Sequence, residues 1–129
     1  MNRRTMLQVL LAAPVIAAGT AAMAKPNPRP LLLQESPLAG FQYHQGRRLW
    51  YRLRVGQPLR LQREPRNRFD QRAVALYWCE HKLGYLPRTE NRVVASLLDQ
   101  GQTLSARILR LRASDDPWRR VKVAVEMGA

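Results

Sequence analysis

The 129-residue chain carries 22 Lys and Arg against 9 Asp and Glu, a formal charge of +13, and arginine supplies nearly all of the excess. One cysteine excludes an intramolecular disulfide, and with only His44 and His81 beside Cys79 a four-ligand zinc site would need carboxylates. Such self-repulsion calls for a polyanionic partner, and the flat guanidinium fork suits phosphate oxygens; an arginine-rich codon preference would give the same excess.

Residues 1–24 read as a cleavable export signal. Arg3 and Arg4 form a charged start, an apolar stretch rich in Ala follows, and Ala22-Met23-Ala24 is a small-x-small cleavage site. The run Asn2-Arg3-Arg4-Thr5-Met6-Leu7 resembles the twin-arginine signal, and export to the periplasm is the expectation. The stretch from Leu7 to Ala24 is interrupted by Pro14, Gly19 and Thr20, which argues against a permanent membrane span. Removing residues 1–24 takes away two arginines and no acid, leaving +11.

Residues 25–35 are an extended, proline-rich leader in which Leu31–Leu33 could dock as an edge strand. A first strand is expected over Leu38–His44, then a short helical turn within Arg47–Val55, stopped by Gly56 and Pro58. Leu59–Arg63 alternates as a half-buried strand should, and Glu64–Arg72 is polar and aperiodic, hence a loop. Val74–Trp78 and Leu83–Leu86 are strands around a turn at Glu80-His81, and Gly84 lets backbone pass closely. Cys79 ends an apolar run and reads as a buried thiol.

Thr89–Gln100 is the one clear helix. Thr89 is the expected N-cap, Val93, Val94, Leu97 and Leu98 form an apolar face, and Gly101 closes it. In Leu104–Arg112 the alternation changes parity at Ile108–Leu109, which predicts a bulge. Asp115-Asp116-Pro117 turns the chain, Trp118 is expected to plug one barrel end, and Val121, Val123 and Val125 line a last strand. Short, regularly spaced strands with one or two helices predict a mainly β domain over residues 36–127, a small, partly open barrel.

The loop sequence Arg63-Glu64-Pro65-Arg66-Asn67-Arg68-Phe69-Asp70-Gln71-Arg72 sets an aromatic beside a carboxylate among four arginines. A binder of nucleic-acid ends needs a flat π-face, an acceptor for a free hydroxyl, and cations for the flanking phosphates. The plainer alternatives stay open. Asn67 and Asp70 are suited to Asx turns that only shape the loop, Phe69 could be buried, and Glu64 could simply pair with a neighbouring arginine. Tyr85 reads as core packing, and Arg88 as either a surface charge at the helix start or a phosphate contact. Trp50 and Tyr51, beside Arg47, Arg48 and Arg52, are either core or a second stacking patch.

This block, with Ala39-Gly40-Phe41-Gln42-Tyr43-His44 before it and Gly84-Tyr85-Leu86-Pro87-Arg88 after it, resembles the HIRAN domain pattern over roughly Ser36–Glu126. The resemblance implies a modified OB-like barrel of a type found on DNA-remodelling ATPases and as stand-alone bacterial proteins. It further implies capture of the 3′ end of single-stranded DNA. Phe69 would stack on the terminal base, Asp70 would accept from the 3′-hydroxyl, and Gly40–His44, chiefly Tyr43, would hold phosphate and base. Two positions depart from the pattern, Gln42 for an arginine and His44 for an aromatic. The candidate nucleic-acid-binding residues are therefore Tyr43, His44, Arg63, Arg66, Asn67, Arg68, Phe69, Asp70, Arg72 and Arg88.

For hydrolytic chemistry the acids are too scattered, His44 and His81 read as solvated or hydrogen-bonded surface residues and not as a dyad, and no Gly-rich phosphate loop with a following lysine occurs. The expectation is a binding module without catalytic residues, metal or cofactor. Its partner is single-stranded nucleic acid or, given the export signal, an anionic or protein partner in the cell envelope.

Overall fold

The computed structural model describes residues 29–128. The export-signal residues Arg3, Arg4, Ala22 and Ala24 lie outside that range. No helix among the described residues is long and apolar enough to cross a membrane.

Six strands make one antiparallel sheet: β1 (Leu31–Pro37), β2 (Pro58–Glu64), β3 (Ala73–Trp78), β4 (His81–Tyr85), β5 (Leu104–Leu111) and β6 (Val121–Met127). Their spatial order is β1-β6-β5-β2-β3-β4. The chain leaving edge strand β1 then meets the opposite edge at one point, where Ala39 and Tyr85 exchange backbone hydrogen bonds of 2.8 and 2.9 Å. No continuous ladder joins the two edges, so the sheet curls into a partly open barrel. Gly84 is required at this seam because a Cβ there would strike the carbonyl oxygen of Ala39.

One core fills the barrel. Leu38, Phe41, Leu53, Leu76, Leu83, Ile108 and Val123 belong to it and are almost wholly buried. The predicted change of parity in β5 is present as a register shift between Ile108 and Arg110 opposite β6. The hairpins β2–β3 and β3–β4 follow the predicted strands closely.

Several expectations are corrected. The first strand is not Leu38–His44 but Leu31–Pro37, which pairs with β6. Leu38 and Phe41 are three apart and both buried, a spacing that suits the 3-10 turn Phe41–Tyr43 that forms there. The turn predicted within Arg47–Val55 is a short helix, α1 (Gly46–Leu49), continued by a 3-10 turn, Trp50–Arg52. Its Gly46 lies flat against the Phe41 ring with no room for a Cβ. Trp50 packs on the core, whereas Tyr51 is exposed.

The helix is shorter than expected. A 3-10 turn over Arg88–Glu90 precedes α2 (Arg92–Asp99), so Asn91, not Thr89, stands at the helix start. With that start, Val94, Ala95 and Leu98 face the core and Val93 turns outward. Gly101 ends the helix in a left-handed conformation, as predicted.

Cys79 is exposed, not buried. Trp78 pairs with His81, so Cys79 and Glu80 form a two-residue hairpin turn, and Cys79 takes φ 53° there. Trp118 does not plug the barrel either. It lies half-exposed on the 3-10 turn Pro117–Arg119, which Asp116 caps through its carboxylate.

Candidate nucleic-acid interface

The β2–β3 loop is built on Asn67. Its Oδ1 accepts from the backbone amides of Phe69 and Asp70 at 2.9 and 3.1 Å, and its Nδ2 donates to Glu64 at 3.0 Å. Asp70 continues the pattern: Oδ1 accepts from the Arg72 amide at 2.9 Å. Both side chains thus act as Asx-turn residues. With the backbone held by its own polar groups, Phe69 is left facing outward, 76% exposed, with Arg68 beside its ring.

Across from it stands the 3-10 turn Phe41–Tyr43, entered through Gly40 at φ 75°. Phe41 points into the core and Tyr43 away from it, so Tyr43 is 79% exposed. Between the two turns lies a cleft of about 750 Å³. Tyr43 and His44 line one side, Phe69 and Asp70 the other, and Tyr85 and Leu86 also contribute. Arg66, Asn67, Arg68 and Arg88 complete it. A smaller hollow of about 290 Å³ lies beside Phe69, where Arg72 joins Arg68 and Arg88.

The structure thus gathers eight of the ten candidate residues around one cleft and places Arg72 just beyond it. Arg63 is directed elsewhere. Its guanidinium pairs with Asp99 at 2.9 Å and donates to the carbonyls of Ala73 and Gln71, clamping the end of the loop to α2. Arg66, Arg68, Arg72 and Arg88 form no salt bridge among the described residues, so their charge faces solvent.

Glu64 does pair, but with Lys82 at 2.8 Å and not with an arginine. Tyr85 donates to the same carboxylate at 2.8 Å, and Lys82 reaches the Tyr85 hydroxyl at 3.1 Å. Burial works against the Glu64 charge, but donors from Lys82, Asn67 and Tyr85 outweigh it and hold the carboxyl below its ordinary pKa. Burial likewise disfavours the Lys82 ammonium, and its hydrogen bonds to Glu64 and Tyr85 more than restore it, so its pKa rises. His44 packs edge-on against Tyr85; burial, then the Lys82 charge, lowers its pKa and favours the neutral imidazole. Tyr85 is therefore not plain core: it is a wall of the cleft with a hydroxyl in this network.

Asn91 could not be read from the sequence. It is completely buried, and instead of capping α2 its Nδ2 donates to Asp70 Oδ2 at 2.7 Å. Its position at a helix start signals an ordinary cap. The partner on a loop 21 positions earlier leaves no local trace.

Comparison with known proteins gives the same reading. The family model described as the HIRAN domain matches residues 31–127. A crystal structure of a protein from Lactobacillus plantarum superposes with a TM-score of 0.60 at 30% identity, covering 76% of this chain and 97% of that one. The crystal structure of the HIRAN domain of human HLTF superposes with a TM-score of 0.59 at 16% identity, covering 77% of this chain and 79% of that one. No curated protein matches the sequence. The matched region begins at Leu31, where β1 begins, so residues 31–35 of the expected leader lie within the matched region. With a family model spanning three-quarters of its length, this chain belongs to the HIRAN domain family of nucleic-acid-binding modules.

Proposed function

We propose that the domain binds single-stranded DNA and takes its 3′ end in the cleft between Tyr43 and Phe69. One observation carries this reading: two aromatic rings, each more than three-quarters exposed, stand on separate turns around a single cleft with unpaired arginines. A soluble domain has no packing reason to present such rings to water, and bases stack on them at about 1–3 kcal/mol each. Arg66, Arg68 and Arg88 supply cations for the flanking phosphates.

Asp70 supplies end selection. Each of its oxygens accepts one protein hydrogen bond, and each keeps a lone pair for a further donor. A terminal hydroxyl donates to it; a terminal phosphate brings no donor and sets negative charge against it. The chain is a binder and not an enzyme in this reading: of the polar groups around the cleft, Asn67 and Asp70 are engaged in shaping the loop and the Tyr85 hydroxyl is held by Glu64 and Lys82, while the rings and guanidiniums offer stacking and charge.

The test uses the unaltered protein and three strands of one sequence: a free 3′-hydroxyl, a 3′-phosphate and a circle. Binding to the hydroxyl end should be about ten- to a hundredfold tighter, the worth of a hydrogen bond to a charged group. Equal affinity for all three would leave Asp70 a loop-shaping residue only.

A second reading rests on residues 1–24. Arg3-Arg4 and the cleavage site Ala22-Met23-Ala24 would send a domain of charge +11 to the periplasm. There an anionic glycan, a lipid head group or a protein could occupy the same cleft. A mature domain that ignores DNA at low salt and binds an envelope glycan would favour this reading.

A further inference from the structure

A second hollow, of about 300 Å³, lies on the other side of the turn that carries Tyr43. Phe41 and Gln42 line it, whereas Gly40 and Tyr43 line the aromatic cleft, so the single turn Phe41–Tyr43 forms a wall of both. The opposite side comes from the segment before β6, whose 3-10 turn Pro117–Arg119 packs against this one. Pro117 and Arg120 line the hollow from there, and Arg47 from α1.

Arg120 is the informative residue. It is half-buried, its Nε donates to the carbonyl of Ser114 at 2.8 Å, and its guanidinium lies over Trp50 at 5.4 Å. The flat group is thereby fixed along one edge and one face, while its two terminal nitrogens have no hydrogen-bond partner among the described residues. Neither Arg120 nor Arg47 forms a salt bridge there. One carboxylate, Asp115, also lines the hollow, so the net local charge is +1. A held guanidinium with free donors costs little further ordering when an oxyanion arrives, and its fork matches two phosphate oxygens.

We infer that Arg120 and Arg47 form a phosphodiester subsite for a strand whose end occupies the aromatic cleft. The strand passes over Gln42 and Tyr43, and a backbone phosphate on the 5′ side of the end lies between the two guanidiniums. Asp115 sets the selectivity: it tolerates a singly charged diester and opposes a doubly charged phosphate monoester. The inference rests on the binding mode proposed above, and the test separates the two.

Affinity is measured for a two-nucleotide and a six-nucleotide oligothymidylate, both with free 3′-hydroxyls, across a salt series. The unaltered protein should bind the longer strand about tenfold more tightly, with a salt slope steeper by about one. Arg120→Gln and Arg47→Gln should each leave the short strand's affinity unchanged and remove most of the gain with length; Arg120→Lys should restore part of it. Arg47 is exposed, so its variant reports even if loss of Arg120 disturbs the fold. If the gain with length survives in both Gln variants, this subsite is refuted and the cleft reading stands. If the short strand does not bind, or binds equally well after Tyr43→Ala and Phe69→Ala, the cleft reading itself fails.

Discussion

Removing the two rings separates binding from folding. Phe69 keeps about a quarter of its surface covered, since it is 76% exposed. For a ring that buries about 200 Å² in a core, this amounts to about 50 Å², or about 1 kcal/mol of stability at ~25 cal/mol per Å². Tyr43, 79% exposed, contributes still less. Each alanine variant should therefore melt within a few degrees of the unaltered protein. Binding is a different matter. A base that loses its stacking partner forfeits about 1–3 kcal/mol, roughly five- to 150-fold in dissociation constant.

The double variant adds geometric information. Tyr43 and Phe69 form no aromatic pair with each other among the described residues, so no ring–ring contact couples them in the free protein. A cleft of about 750 Å³ is large enough for more than one base. The two losses should then add to within about 0.5 kcal/mol, the signature of rings that stack on successive bases. Fluorescence anisotropy with a short oligothymidylate at one fixed salt concentration measures all four corners of the cycle. Single variants that stay folded and bind within twofold of the unaltered protein would refute stacking altogether. A coupling well above 0.5 kcal/mol would instead put both rings on one base.

Two other outcomes follow from the network behind the loop and from the export signal. Glu64 has a pKa below its ordinary value near 4.5 and Lys82 one above its ordinary value near 10.5. The Glu64 contribution to stability is full above pH 4.5 and is lost as pH falls through its lowered value; the Lys82 contribution is full below pH 10.5 and is lost at higher pH. Glu64→Gln should cost on the order of 1–2 kcal/mol at pH 7, a figure reduced by the partial exposure of both groups, and this deficit should shrink in acid. Urea titrations at pH 3, 5 and 7 check it, and a deficit independent of pH would mean that the Lys82 pair contributes nothing. For the export signal, Arg3→Lys with Arg4→Lys should leave the protein in the cytoplasm, and fractionation with unchanged export would exclude the twin-arginine route.

Much of this molecule was legible locally. Strands β2, β3, β5 and β6 show their alternation or β-branched runs, and the β5 bulge is visible as a change of parity. Edge strand β1 was legible only over Leu31–Leu33, because its ends are marked by Pro30 and Pro37, residues that an edge tolerates and that a proline-rich extended segment also carries. The apolar run ending at Cys79 looked buried because burial follows chain composition only until the hairpin turns; Leu76 is interior and Cys79 is not. The candidate site divides the same way. Phe69, Asp70 and three of the four arginines around them are contiguous in the loop, and the sequence displays them together. Lys82 with Glu64, and Asn91 with Asp70, join residues 18 and 21 positions apart, and no local pattern announces either pair.

Loop shaping and end recognition, which the sequence sets against each other at Asp70, are compatible in the structure. The Arg72 amide and Asn91 Nδ2 hold one carboxylate oxygen each, and two such donors fix the plane of the group while leaving a lone pair on each oxygen. The Asn91 amide has no freedom to turn over, because its Oδ1 would then face the carboxylate. That Oδ1 is buried without a partner, a penalty of about 1–3 kcal/mol that the chain bears while Nδ2 remains on Asp70. Asn91 stands at the start of α2, and Arg63 ties the other end of the loop to Asp99 near the helix's last turn. The loop is therefore anchored to both ends of one helix, and Asp70 is already oriented before a strand arrives. An acceptor fixed in this way needs no reordering on binding, so in the proposed binding mode the hydrogen bonds that shape the loop would also make its carboxylate selective.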